Sequence, residues 1–103
     1  MVLCMSFNDI VYTASYYGKE HHGKKTASGQ KFNMYDMTAA HKSLPFGTKV
    51  KVTNIKNGKS VIVRINDRGP FSKSRELDLS YSDFKEISSI KNGLVKITYE
   101  VVE

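Results

Sequence analysis

The sequence is poor in cysteine and proline and contains no tryptophan. Cys4 is the only cysteine among 103 residues, which excludes an intrachain disulfide and leaves a cysteine-based metal site without support. No run of 18 apolar residues occurs, so no membrane-spanning helix is expected. The P-loop, the Rossmann glycine fingerprint and the G-x-S-x-G motif are also missing, so nucleotide chemistry and serine hydrolysis have no support.

The three histidines lack the spacing of metal ligands. His21 and His22 are adjacent, and His41 stands alone just before a turn. No H-E-x-x-H motif or Cys/His pair accompanies them. We therefore expect no metal and no cofactor. A lone histidine is more often a hydrogen-bonded structural residue than a ligand, and that interpretation stays open for His41.

Negative charge is scarce relative to positive charge. Sixteen Lys and Arg residues against ten Asp and Glu residues give a net charge of +6 and a pI near 9.5. Such a balance indicates an anionic partner, either a nucleic acid, a membrane surface or an acidic wall polymer. The lysines are scattered, so simple solubility explains the charge equally well. Nucleic-acid binding rests on charge alone, because no recognition motif accompanies it.

The length allows one domain with one core. Residues 1–10 form a short apolar start without the basic region of a secretory signal, and we interpret them as a leader remnant or a disordered arm. Residues 11–103 are then the folded domain. With 40% apolar and 25% charged residues, the composition is that of a globular protein.

The strand signals are stronger than the helix signals. Residues 48–53 alternate polar and apolar side chains, and residues 60–65 form a denser β-branched run typical of a strand covered on both faces. Asn57-Gly58 between them predicts a type I′ hairpin turn. Further strands are expected at 11–17, 77–79 and 94–101.

One helix is expected, directly after the strand at 77–79. Ser80 can cap it, Asp83 stands at the capping-box position, and Phe84 and Ile87 share one face. The helix should end by Asn92-Gly93. Many short strands with one short helix predict a small β-barrel.

The segment Arg64–Phe71 is the best candidate for chemistry. It places Asp67 between Arg64 and Arg68, where a strong strand ends in the Gly69-Pro70 turn. Strand ends and turns commonly carry binding groups on a rigid scaffold. The alternative is an Arg–Asp pair that only closes the turn, and spacing alone does not exclude it.

Two further segments are weaker candidates for chemistry when each is considered alone. The loop of residues 26–32, which holds Thr26, Ser28 and Gln30, has the composition of an ordinary surface loop. The segment Thr38–His41 precedes the Pro45-Phe46-Gly47 turn. Aromatic rings near turns could stack on the flat faces of sugars.

Taken together in this order, the segments resemble the RlpA-like (rare lipoprotein A) family of double-psi β-barrel domains, from about Tyr12 to Val102. The resemblance is carried by Ala14-Ser15-Tyr16-Tyr17-Gly18, His22–Gly29, Thr38-Ala39-Ala40-His41-Lys42, Leu44-Pro45-Phe46-Gly47-Thr48, Val52-Thr53-Asn54, Asn57-Gly58, Val63–Phe71 and Asp78-Leu79-Ser80. It implies a mainly β fold, a six-stranded double-psi barrel with one or two short helices. It also implies a bacterial cell-envelope or periplasmic location.

Members of this family act as lytic transglycosylases on peptidoglycan strands that lack stem peptides, or only bind such strands. Mapped position by position, the family's catalytic aspartate is Asp67 and its histidine is His41, whereas Gln30 stands where the family has a glutamate. Glutamine hydrogen-bonds well but exchanges no proton near neutral pH. Hydrolysis ordinarily needs two carboxyl groups, so it is disfavoured. Transglycosylation can proceed with one acid/base residue, because the muramic sugar's own 6-hydroxyl is the nucleophile.

Two hypotheses follow from the resemblance. In the first, the domain is a lytic transglycosylase that leaves 1,6-anhydro ends, with Asp67, His41 and Gln30 as the catalytic set. In the alternative, the domain is a non-catalytic glycan-binding module, because Gln30 has replaced the glutamate. In both, we expect a monomer that binds peptidoglycan glycan strands and no nucleic acid. The substrate-binding residues are expected to be Thr26, Ser28, Arg68, Tyr17, Phe46 and Phe71.

Overall fold

The computed structural model describes residues 10–102, and its six strands close into a barrel. In chain order the elements are β1 Tyr12–Tyr17, β2 Thr38–His41, β3 Lys49–Asn54, β4 Ser60–Asp67, β5 Leu77–Ser80, α1 Tyr81–Ile87 and β6 Leu94–Val101. Short 3₁₀ turns occur at Lys19–His21 and Ile90–Asn92. The leader remnant or disordered arm predicted for residues 1–10 falls, apart from the exposed Ile10, outside the described residues.

The strands follow the order β1-β5-β2-β4-β3-β6 around the barrel. The pairs β1–β5 and β2–β4 are parallel, and the other four pairs are antiparallel. Closure pairs every strand on both sides and so removes the free edges that would invite aggregation. The closed six-stranded barrel with one short helix confirms the predicted fold class. Within residues 10–102 no helix has the length and apolar character that crossing a membrane requires.

The barrel interior is filled by apolar side chains from every strand and from α1. The buried core comprises Ala14, Ala39, Val50, Val52, Val61, Val63, Ile65, Leu77, Leu79, Phe84, Ile87, Val95 and Ile97. Strand β3 alternates between core and solvent as its sequence predicts. The expectation that both faces of residues 60–65 are covered was wrong, because Ile62 on β4 is 53% exposed.

Strand β2 is the element that the sequence did not predict. All four of its residues, Thr38–His41, are buried, because β2 lies between β4 and β5 and both of its faces are covered. Its two alanines have low β propensity and the run is only four residues long, so the tertiary context makes it a strand.

The β3–β4 connection differs from the predicted type I′ turn. That turn needs a positive φ at both central residues, but only Gly58 has one, at 75°. Instead, Gly58 N–H donates to the Asn54 carbonyl at 2.8 Å across a longer loop. The side chains of Asn54 and Asn57 accept from Lys56 N–H and Lys59 N–H, both at 2.9 Å. These bonds stabilise the longer loop in place of the tight turn.

Helix α1 begins as predicted and ends early. The Ser80 hydroxyl accepts from Asp83 N–H, and the Asp83 carboxylate accepts from Ser80 N–H, which completes a capping box. The helix ends at Ile87, five residues before Asn92. The Ile87 carbonyl accepts from the side-chain amides of Asn54 and Asn57 at 2.7 and 3.1 Å, so a helix-terminal carbonyl is already satisfied.

Candidate functional site

A cleft of about 660 Å³ lies beside the C-terminal end of β4. Four residues singled out from the sequence line it, namely Tyr17, Asp67, Arg68 and Phe71. Its remaining lining residues include His21, Ala27, Ala40, Ser72, Arg75 and Asp78. The cleft therefore combines two carboxylates, two guanidinium groups and three aromatic rings with several small side chains.

The position of Asp67 depends on an irregularity in the parallel pair β2–β4. Ala39 pairs with Ile65 and Ala40 with Asp67, so Asn66 has no opposite residue and forms a bulge. A bulge re-aims the side chain that follows it. The Asn66 carbonyl, freed from the ladder, accepts from Ser28 N–H at 3.3 Å. The bulge thus ties the end of β4 to the loop of residues 26–32.

Three donors hold the Asp67 carboxylate. Its Oδ1 accepts from the backbone N–H of Ala27 at 2.8 Å and from that of Arg68 at 2.9 Å. Its Oδ2 accepts from the Tyr17 hydroxyl at 3.3 Å. One oxygen is therefore fixed by rigid backbone, and the other is shared with a side chain that also lines the cleft.

Tyr17 is held in place by its aromatic neighbours. Its ring stacks on the buried Phe32 with centroids 4.3 Å apart, and it meets His21 edge-on at 5.3 Å. Burial raises the pKa of Tyr17 well above its usual value, and the negative charge of Asp67 raises this pKa further. The phenol is thus a neutral hydrogen-bond donor to Asp67 at physiological pH.

Gln30 does not line the cleft but lies directly behind it. Its Oε1 accepts from Arg64 Nη1 at 2.9 Å and from Asn66 Nδ2 at 3.3 Å. The backbone carbonyl of Gln30 accepts from the Thr26 N–H and from the Thr26 hydroxyl, each at 2.7 Å. The hydroxyls of Thr26 and Ser28 are hydrogen-bonded to each other at 2.9 Å. Thr26 and Ser28 therefore close the loop that presents Ala27 N–H to Asp67.

His41 is buried and its ring is engaged away from Asp67. Its Nδ1 accepts from the N–H groups of Ser43 and Leu44 at 3.1 and 3.0 Å. Its Nε2 lies 3.2 Å from Glu76 Oε2 and 3.0 Å from the Tyr99 hydroxyl. These contacts fit the structural interpretation of a lone histidine. A link to the cleft runs through the His41 carbonyl, which accepts from Arg68 Nη1 at 3.3 Å.

The two predicted phenylalanines take different places at the rim. Phe71 lines the cleft and is 90% exposed. Phe46 lies outside the lining, beneath the Arg68 guanidinium, whose central carbon is 4.1 Å from the ring centroid. This cation–π contact orients Arg68 toward the cleft. Phe71 is free to contact a ligand, whereas Phe46 acts by supporting Arg68.

Asp78 and Arg75 are cleft residues that the sequence analysis did not predict as site residues. Arg75 Nη1 lies 3.3 Å from Asp78 Oδ1. Arg75 Nη1 also donates to the Ser15 hydroxyl at 2.7 Å, and the Ser15 hydroxyl in turn donates to Asp78 Oδ1. Ala40 on β2 pairs with Asp67 on one side and with Asp78 on the other. Two inter-strand spacings therefore separate the aspartates, about 9.5 Å between Cα atoms.

A signal for Asp78 was present in the sequence. It is the polar residue between Leu77 and Leu79, both fully buried, so strand alternation points it away from the core. What the sequence could not give was the neighbouring strand order, which brings β5 beside β2 and so places Asp78 near Asp67. Among the residues that the structure describes, no group of three or more metal-ligating side chains occurs.

Comparisons with known proteins agree on one family. A family model described as lytic transglycolase matches residues 10–99. The endolytic peptidoglycan transglycosylase RlpA of Pseudomonas aeruginosa is 48% identical over 91% of this chain, and that of Vibrio cholerae is 51% identical over 86%. These alignments cover 28% and 34% of the two relatives, so the chain spans about a third of their length.

Solved structures share the barrel. The Streptomyces papain inhibitor superposes with a TM-score of 0.73 at 22% identity, covering 91% of this chain and 94% of the inhibitor. A mutant Clavibacter michiganensis expansin in complex with cellohexaose gives a TM-score of 0.72 at 22% identity, covering 90% of this chain and 50% of the expansin. At this identity the likeness concerns the fold alone, and it confirms the double-psi arrangement of the six strands.

Proposed function

The chain belongs to the lytic transglycolase family, and on that premise we propose that this domain cleaves peptidoglycan glycan strands lacking stem peptides by lytic transglycosylation. The names of its relatives support a peptidoglycan substrate. The domain would work in the bacterial cell envelope or periplasm, as a monomer and without a cofactor or nucleic acid. The observation that carries the proposal is the carboxylate of Asp67, fixed at one oxygen by two backbone N–H groups in an open cleft.

The proposed reaction balances without water. Asp67, starting as the acid, donates its proton to the glycosidic oxygen that leaves from C1 of N-acetylmuramic acid. The 6-hydroxyl of the same sugar attacks C1, and its proton passes to the Asp67 carboxylate. A C–O bond breaks and another forms at C1, a 1,6-anhydro ring results, and Asp67 ends in its initial state.

The other cleft residues have supporting roles in this scheme. Tyr17 orients Asp67 through the hydrogen bond to Oδ2. Asp78, held by Ser15 and Arg75, supplies a negative charge that stabilises the positive charge developing at C1. Phe71 and Arg68 contact the sugar rings. His41 and Gln30 are positioning residues, the first through the Arg68 contact and the second through Asn66.

The test uses sacculi from which an amidase has removed the stem peptides. Mass spectrometry should detect chains with 1,6-anhydro ends after incubation with the wild-type domain and with Glu100→Gln, a matched carboxylate variant on the exposed part of β6. In the Asp67→Asn variant the release of these ends should fall at least about a hundredfold. Absence of anhydro ends from the wild type at high protein loading would reject the enzymatic function.

The alternative is a glycan-binding module without activity, and one observation favours it. Gln30 carries an amide, which cannot act as an acid, and its Oε1 is already engaged by Arg64 and Asn66. The matched variant is Gln30→Glu, which keeps the shape and adds a carboxyl group beside Arg64. Activity that appears only in Gln30→Glu would identify the natural domain as a binder, whereas activity already present in the wild type would reject this alternative.

A further inference from the structure

A second open groove lies on the opposite face of β1 from the cleft. We name it the tyrosine groove, and its lining residues are Tyr16, Gly18, Lys19, Glu20, Met34, Tyr35, Tyr81 and Lys85. Its volume of about 660 Å³ equals that of the cleft. The catalytic scheme proposed above does not use any of these residues.

We propose that the tyrosine groove binds a further N-acetylmuramic acid unit of the same glycan strand that occupies the cleft. This inference rests on the proposed function and deepens it, because it makes the substrate a strand of several sugars and not an isolated disaccharide. The ligand chemistry is a pyranose ring that carries a free carboxylate, as the lactyl group does once the stem peptide has been removed.

The aromatic rings supply the surface for the sugar. Tyr35 is 64% exposed, and its ring stands nearly perpendicular to that of Tyr81, with 6.2 Å between centroids. Tyr16 meets Tyr81 edge-on at 6.4 Å, and His22 supports Tyr35 from its other side at 5.8 Å. The nearly perpendicular rings of Tyr35 and Tyr81 present one apolar face together with phenol hydroxyls, which matches the apolar face and hydroxyl edge of a pyranose.

The charges select an acidic sugar. Lys19 and Lys85 are both exposed, and the Lys85 ammonium lies 5.7 Å from the centroid of the Tyr81 ring. A carboxylate on a sugar stacked in the groove would lie within reach of these ammonium groups. Glu20 is the one acidic residue in the lining, and its carboxylate points toward His21, 3.9 Å from Nδ1. The excess positive charge thus favours an anionic ring over a neutral one.

The groove and the cleft are separated by one short turn. Tyr16 and Tyr17 are consecutive in β1, so their side chains point to opposite faces, one into each site. The turn Lys19–His21 follows, with His21 lining the cleft and Lys19 lining the groove. A strand that leaves the cleft therefore needs to cross only this short exposed turn to reach Tyr35.

The experiment measures binding in the Asp67→Asn variant, so that the ligand is not cleaved. Peptide-free glycan oligosaccharides of four and eight sugars are titrated by calorimetry, with neutral chitin oligosaccharides of the same lengths in parallel. We expect the eight-sugar glycan to bind more tightly than the four-sugar glycan. Tyr35→Ala should weaken binding of the eight-sugar glycan about three- to tenfold. The control Ile62→Ala, which truncates an exposed side chain on β4, should leave this affinity unchanged.

The charge is tested separately from the stacking. Replacing Lys19 and Lys85 together by Gln should weaken binding of the muramic glycan and leave the chitin oligosaccharides unaffected, with Lys51→Gln on β3 as the control. Amide shifts mapped by NMR in the Asp67→Asn protein should include Lys19 and Lys85. Equal affinity for short and long glycan, with shifts confined to the cleft, would overturn the groove as a subsite. Length-dependent binding in the Asp67→Asn protein, together with no anhydro products from the wild type, would instead overturn the enzymatic proposal and leave the subsite intact.

Discussion

The backbone N–H of Ala27 donates to Oδ1 of Asp67 at 2.8 Å across a separation of 40 residues. This single bond joins the loop of residues 26–32 to the end of β4. The loop is rigid at this point, because Thr26 N–H and Gly29 N–H close it with bonds of 2.7 and 2.9 Å. The contact uses the backbone N–H and not a side chain, so any residue at position 27 except proline could donate it.

The hydroxyl of Tyr17 is predicted to matter for the reaction and little for the fold. Tyr17→Phe keeps the ring that stacks on Phe32 and removes only the donor to Asp67 Oδ2. We expect kcat to fall about three- to tenfold and KM to change little, with about 1 kcal/mol or less lost in stability. Steady-state kinetics and urea unfolding check this. An unchanged kcat would show that Tyr17 does not orient the acid.

Stability should fall at alkaline pH, and Tyr17 should contribute to the fall. Burial, together with the charge of Asp67, raises the pKa of Tyr17 above its usual 10.0. The folded state then keeps a proton that the unfolded chain loses above that pH, so the stabilisation is present below pH 10 and is lost as the pH rises further. Burial and the hydrogen bond to Glu76 also raise the pKa of Tyr99, so Tyr99 contributes to the same alkaline loss of stability.

Urea unfolding at a series of pH values measures this effect. The slope that one such tyrosine contributes is at most about 1.4 kcal/mol per pH unit. Tyr17→Phe should flatten the alkaline decline, and the exposed Tyr35→Phe is the matched control. Identical slopes for the wild type and Tyr17→Phe would contradict the assignment.

His41 is predicted to act through positioning. His41→Ala leaves the N–H groups of Ser43 and Leu44 without their acceptor and breaks the bonds to Glu76 and Tyr99, and should cost about 2–4 kcal/mol. His41→Asn can keep an acceptor near the Nδ1 position and should recover part of the stability and most of the activity. A His41→Asn variant as stable as wild type but inactive would instead place the ring in the reaction.

Asp78 is predicted to work together with Asp67. Asp78→Asn removes the negative charge that pairs with Arg75. It should lower kcat at least about tenfold while glycan binding persists. Because both carboxylates serve one reaction, the double variant with Asp67→Asn should be no slower than Asp67→Asn alone. Full activity in Asp78→Asn would remove it from the mechanism.

The sequence predicted the barrel because its strands alternate clearly, as in residues 48–53, and because Ser80 and Asp83 form a recognisable cap. It failed at Thr38–His41, where a four-residue segment with two alanines of low β propensity becomes a strand through its pairing with β4 and β5. Of the site residues that it predicted, Asp67, Arg68, Tyr17 and Phe71 line one cleft. It could not predict that the His41 ring is engaged by Glu76, since that contact joins residues 35 positions apart.

The sequence also could not assign Asp78 to the cleft, for a related reason. Strand alternation shows only that this residue points away from the core. Its place beside Asp67 depends on β2 lying between β4 and β5, and this order follows from closure of the whole barrel. The tyrosine groove could not be predicted from the sequence either, because Tyr16, Tyr35 and Tyr81 are far apart in the chain and meet only in the folded protein.

The most direct test of the account compares wild type and Asp67→Asn on the same amidase-treated sacculi, with products counted by mass spectrometry and glycan binding measured in parallel. We predict 1,6-anhydro ends from the wild type, a fall of at least about a hundredfold in Asp67→Asn, and glycan binding in both proteins. Anhydro ends produced equally by Asp67→Asn would contradict the central claim, because Asp67 could not then be the acid and base of the reaction.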